Sequence, residues 1–129
     1  MKDVKDFMRD FFRSRIAEEE KYQKNREPFR REFFTEDCRF DSHADTLRRM
    51  QSEKVLSIEE GEGHCKVITE QTVNYKGSCR KMRLRYTLQH LSDRWLIQNV
   101  KTACLVCEGR GDKDCPFCKG NPWLAPEMI

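Results

Sequence analysis

Four cysteines near the C-terminal end are the residues best placed to do chemistry. The stretch Cys104-Leu-Val-Cys107-Glu-Gly-Arg-Gly-Asp-Lys-Asp-Cys115-Pro-Phe-Cys118-Lys-Gly sets two Cys-x-x-Cys pairs seven residues apart. Each pair can fold back as a tight knuckle, and two knuckles can surround one tetrahedral Zn²⁺ with four thiolates. Gly109, Gly111 and Gly120 follow the pairs, where a knuckle needs a left-handed backbone or a close approach. An iron site of the rubredoxin kind uses the same ligand set, and the spacing leaves that alternative open. A redox role fits less well. A thioredoxin-type site puts Cys-x-x-Cys at a helix N-terminus in a βαβ setting, and these pairs follow a strand in a glycine-rich tail.

A second set of side chains could do acid–base work: Tyr22, Asp41, His43, Asp45, Tyr86 and His90. An Asp–His pair acts as a base when burial tunes its pKa towards neutrality. The competing reading is structural. Asp41, Ser42, His43 and Asp45 read equally as a polar connection with local hydrogen bonds, and His90 as a satisfied histidine on the apolar side of its strand.

These residues need a frame, and the hydrophobic periodicity supplies one. Residues 3–23 predict an amphipathic helix with Val4, Phe7, Met8, Phe11, Phe12 and Ile16 on one face. Pro28 suits the first turn of a second helix carrying Phe29 and Phe33. Cys38 and Phe40 alternate as in a short strand, and Asp45 to Gln51 predicts a short helix. From Lys54 the period becomes two. Residues 55–60, 64–75, 79–91 and 94–103 predict strands, separated by Gly61-Glu-Gly63, Lys76-Gly77 and Ser92-Asp93. In the third of these, Met82, Leu84, Tyr86 and Leu88 alternate with Lys81, Arg83, Arg85 and Thr87, so one side is apolar and the other basic. In the last, Trp95 and Ile97 are set against Leu96, Gln98 and Val100. Helices followed by an antiparallel meander give an α+β domain over residues 1–103, with a four-cysteine zinc-binding tail over 104–129.

Two resemblances follow from these patterns. Cys104-x-x-Cys107-x-Gly109-x-Gly111 matches the cysteine-rich repeat of DnaJ-type zinc modules, and Cys115-x-x-Cys118-x-Gly120 matches a second repeat with Pro122 in place of its last glycine. This resemblance implies one zinc ion and contact with a partner chain through the tail. No His-Pro-Asp triplet occurs in the chain, so co-chaperone activity is not implied. The element order and the closing Asp93-Arg-Trp-Leu-Ile-Gln-Asn-Val100 resemble the nuclear transport factor 2-like superfamily, also called cystatin-like or SnoaL-like. That resemblance implies a cone in which a curved sheet wraps a long helix. It also implies an interior that takes a small apolar ligand in some members, and a homodimer through the sheet face. Thr87 and Gln98 on the outer face favour such a dimer, and Arg83 and Arg85 oppose it by like-charge repulsion.

Composition narrows the field. At 129 residues, with 37% hydrophobic and 36% charged, the chain holds a modest core that folds without disulfide staples. The odd count of seven cysteines and the charged residues from Lys2 onward predict a reducing, cytoplasmic setting. There Cys38, Cys65 and Cys79 would be small hydrophobes in or near the core. No run of apolar residues is long enough to span a bilayer. The net charge of +3 would fall to +1 with four thiolates and one Zn²⁺, and basic and acidic residues are interspersed, so nucleic acid is a poor partner. The leading expectation is a non-catalytic binding or interaction module with structural zinc on Cys104, Cys107, Cys115 and Cys118. An isomerase- or dehydratase-like enzyme using the cone is the runner-up, and a DnaJ-like contact surface is a third reading. The tail is expected to order independently of the cone, with Trp123 able to fold back over it.

Overall fold

The computed structural model describes residues 3–21, 27–38, 47–75, 77–103, 113–116, 119–120 and 123–124. Helix α1 spans Val4–Lys21. It begins where the Asp3 carboxylate accepts a hydrogen bond from the Asp6 N–H at 2.8 Å, an N-cap that satisfies one of the orphan donors of the first turn. Val4, Phe7, Met8, Phe11 and Arg15 form its buried stripe, while Phe12 and Ile16 are half-buried. Helix α2, Glu27–Phe33, carries Pro28 in its first turn and presents Phe29 and Phe33 to α1.

Phe11 is the hub of the resulting aromatic cluster. Its ring centroid lies 5.6–6.0 Å from those of Phe29, Phe33, Phe34 and Tyr86. These are edge, tilted and offset contacts in the range that aromatic quadrupoles favour.

The stretch after α2 differs from the predicted strand. Phe34 makes one parallel bridge to Ile97, and the chain then turns. The Cys38 N–H donates to the Thr35 carbonyl, and the Thr35 hydroxyl donates to the Asp37 carboxylate at 2.5 Å. A threonine and an aspartate two residues apart stabilise a local turn at the expense of a ladder. Phe40 lies outside the described residues. Helix α3 runs Leu47–Ser52 and buries Met50.

Strands β1 (Lys54–Glu60), β2 (His64–Tyr75), β3 (Ser78–Leu91), β4 (Arg94–Ala103) and β5 (Trp123–Leu124) form one sheet in that order, every pair antiparallel. The β2–β3 hairpin turns through Gly77 at φ +81°, a left-handed conformation that a Cβ would strain. On the inner face, Cys65, Val67, Thr69 and Gln71 of β2 and Met82, Leu84, Tyr86 and Leu88 of β3 are all buried. The core lies between this face and the helices.

Strand β4 departs from simple alternation. Leu88 pairs with Ile97 and Thr87 with Asn99, so Gln98 is an extra residue. This bulge flips the alternation. Val100 joins Trp95 and Ile97 on the inner side, opposite Tyr86, instead of lying with Leu96. Thr87 and Gln98 are half-buried. Of the three cysteines expected in or near the core, Cys38 and Cys65 are buried, whereas Cys79 is exposed one residue into β3.

Candidate functional site

The middle of the inner face holds a closed polar network. Glu53, in the single-residue link between α3 and β1, has a side chain with no exposed surface, as does Arg15. Its carboxylate accepts four hydrogen bonds. Oε1 takes one from Arg15 Nη2 at 2.5 Å and one from Gln71 Nε2 at 2.8 Å. Oε2 takes one from the Thr69 hydroxyl at 2.5 Å and one from the Tyr86 hydroxyl at 2.6 Å. Arg15 Nη1 also reaches the Tyr86 oxygen at 3.3 Å. The guanidinium carbon sits 5.0 Å from the centroid of Phe11 and 5.5 Å from that of Phe12, so aromatic faces flank the cation.

Each element places one member. Arg15 falls one turn beyond Phe11 on the buried stripe of α1, and the end of α3 delivers Glu53. Thr69, Gln71 and Tyr86 sit at inward positions of β2 and β3. Burial pushes the Tyr86 phenol well above its usual range, the Glu53 charge pushes the same way, and Arg15 opposes both. A phenol that resists ionisation and a carboxylate with four donors make an anchor. Chemistry on a substrate needs a reacting atom within reach of the acid or base, and the carboxylate, the phenol and the guanidinium here are turned on one another and closed to solvent.

Of the six sequence-predicted pocket residues, Tyr86 is at the centre of this network. His90 is four residues along β3, about 13 Å away on strand geometry. It is half-buried and packs against Trp95 in a tilted contact with centroids 4.9 Å apart. The two are therefore not brought together. Tyr22, Asp41, His43 and Asp45 lie outside the described residues. Sequence reasoning missed Arg15 and Glu53. The available signal was a lone arginine in an otherwise apolar helical stripe, facing a strand whose inward positions include Thr69 and Gln71.

In the tail, Cys115 is described and buried, while Cys104, Cys107 and Cys118 lie outside the described residues. Among the described residues no group of His, Cys, Asp and Glu could hold a metal. After Cys115 the chain makes a turn. The Lys119 N–H donates to the Cys115 carbonyl at 2.9 Å, and Lys119 and Gly120 both have positive φ, 52° and 93°. A Cys-x-x-Cys-x-Gly knuckle needs such a fold-back, so this segment fits a thiolate metal site. Past the turn, Trp123 and Leu124 pair with Ala103 and Thr102 as β5, and the Arg85 guanidinium lies 5.0 Å from the centroid of the Trp123 ring.

No family model matches the chain, and no curated protein matches it. Among solved structures, a five-substitution variant of a designed nuclear transport factor 2-like protein, Rd1NTF2_05, aligns with a TM-score of 0.50. The alignment covers 78% of this chain and 99% of that one. Most of the chain has a nuclear transport factor 2-like fold. The sequence identity is 14%, so the likeness concerns the fold alone. Where that fold can enclose a pocket, the described part of this cone holds the aromatic cluster and the Glu53 network. Among the described residues no helix is long and apolar enough to cross a membrane.

Proposed function

We propose that this protein is a non-catalytic interaction module: a cone packed shut, with a cysteine tail that carries structural zinc. The observation that supports it is the burial of the Glu53–Arg15–Tyr86 network, whose carboxylate, phenol and guanidinium bond to one another and are closed to solvent. An enzyme of this fold would need the same groups aimed into an open interior. The partner is a protein chain, contacted through the tail.

Zinc would be held by Cys104, Cys107, Cys115 and Cys118. Bound there, it supplies cross-links to a segment too poor in apolar residues to order itself. The buried Cys115 and the fold-back at Lys119 and Gly120 support that assignment.

Two measurements test the proposal together. Elemental analysis of protein purified without added metal should give about one zinc per chain. Titration with a polarity-sensitive apolar dye should give no saturable binding. Metal well below half an equivalent would remove the zinc assignment. Stoichiometric dye binding that Tyr86→Phe alters would reopen the cone as a ligand site.

A further inference from the structure

The outer face of the sheet is basic where the tail joins it. On β3, Lys81, Arg83 and Arg85 alternate with the buried Met82, Leu84 and Tyr86, so all three take outward positions. The register sets Lys101 of β4 directly opposite Arg85. The described carboxylates on this face, Glu59 and Glu70, lie towards β1, where Glu70 approaches Lys54 at 3.8 Å and Arg83 at 3.9 Å. Among the described residues, no carboxylate shares the outward positions of β4 and β5.

Arg85 and Lys101 therefore face each other as like charges, which costs stability. Arg85 Nε is buried and has no hydrogen-bond partner among the described residues, which costs more. The group that does meet the guanidinium is the Trp123 ring, 5.0 Å away at its centroid, and the tail delivers it as β5. Cations that repel one another and lack acids break the local rules of a stable sheet, and folded chains keep such departures at binding sites.

We propose that this junction of cone and tail, formed by Arg83, Arg85 and Lys101 beside Trp123, docks an acidic segment of a partner protein, with one carboxylate bridging Arg85 and Lys101. An indole that already holds the guanidinium lowers the ordering cost of closing its fork on a carboxylate. Outward side chains along β3 recur about every 7 Å. Alternate residues of an extended segment laid beside the strand have the same interval, so acids at every second position meet Lys81, Arg83 and Arg85 in turn. A nucleic acid fits less well. Its backbone is charged at every step and would be drawn against Glu59 and Glu70, and the chain's net charge is only +3.

This inference rests on the proposed interaction role and deepens it by naming the chemistry of the partner. The probe is a short labelled peptide in which Glu alternates with Ser, titrated with the full chain at low ionic strength. Its fluorescence anisotropy should show saturable binding that weakens as salt rises. Arg85→Gln and Lys101→Gln should each weaken it about tenfold, the loss of one charge-assisted contact. Arg85→Lys should recover only part, because an ammonium keeps the charge and loses the fork. Lys5→Gln, which removes an exposed cation on α1, should change nothing. Lys101→Gln should keep or raise the urea midpoint, since it removes a like-charge neighbour, so its lost binding is not a lost fold. No saturable binding, or binding indifferent to both glutamine variants, overturns the inference. So does a uridine oligomer of the same length that binds more tightly than the peptide through the same residues. Zinc content and the dye titration on the same samples report on the proposed module separately: a failed peptide titration with zinc bound and the cone closed sinks this inference alone.

Discussion

At Glu53 four donors converge on one carboxylate, and removing any of them has a calculable consequence. Tyr86→Phe deletes a hydrogen bond to a charged group and should cost about 1.5–3 kcal/mol in urea unfolding. Arg15→Met strips the cation from a carboxylate with no exposed surface and should cost about 3–5 kcal/mol. Combining Arg15→Met with Glu53→Gln should cost less than the two single changes together, because the second substitution removes the charge that the first leaves buried. Additive costs would mean that the two groups do not act as a pair. Two buried groups, Cys65 and Tyr86, set the alkaline limit. Cys65 is pushed up to about 11 by burial and by Glu60 and Glu59, and Tyr86 is also raised. Both groups are protonated in the folded and unfolded chain below pH about 8, where their contribution to stability is complete. As the pH rises through 9 and 10 the unfolded chain releases these protons while the folded chain keeps them. Stability therefore falls, and goes on falling up to about pH 11 for Cys65 and beyond for Tyr86. Unfolding midpoints at pH 8 and 10.5 should differ more in the native protein than in Tyr86→Phe. At neutral pH the exposed Cys79 should react with a thiol reagent long before Cys65 does.

Among the elements, the turns and the bulge hold the register. Gly77 sits at φ +81° with open space where a Cβ would be, so Gly77→Ala should cost about 1 kcal/mol through the backbone alone, and Gly77→Asn less. Thermal melting of the two variants checks the order. Both long hairpin strands were legible in the sequence because Cys65, Val67, Thr69 and Gln71 recur at a period of two, as Met82, Leu84 and Tyr86 do between charged neighbours. The helical stripe from Val4 to Phe11 was legible for the same reason at a different period. The bulge at Gln98 was not. One inserted residue leaves no mark in composition, and it moved Val100 to the side opposite the one its spacing predicted. Arg15 was hidden for a different reason: a charged residue on a helix ordinarily ends in water, and the carboxylate that pairs with it inside arrives from a link far along the chain. The candidate site was thus half visible. Tyr86 was singled out from its strand position, but its partners come from elements whose meeting no local pattern encodes.

For the molecule as a whole, β5 joins the tail to β4 through Thr102 and Ala103. Replacing Cys115 and Cys118 by Ser should release Trp123 from Arg85 and raise amide exchange at Thr102 and Ala103. The helices and the β2–β3 hairpin should stay folded, since among the described residues their core holds none from the tail. Loss of all protected amides together would show that tail and cone unfold as one unit. The two-residue ladder also has a thermodynamic consequence. Residues 104–122 form a loop whose ends are clasped by Ala103 and Trp123, and closing a loop of that size costs about 2.5 kcal/mol of chain entropy. Where the clasp has already met that cost, an ion cross-linking the loop need not meet it again. Where the ion is bound, the clasp closes more readily by the same factor. Trp123→Gly should therefore loosen zinc, and stripping zinc should loosen Trp123, by equal free energies: ion and tryptophan would each act as the other's effector.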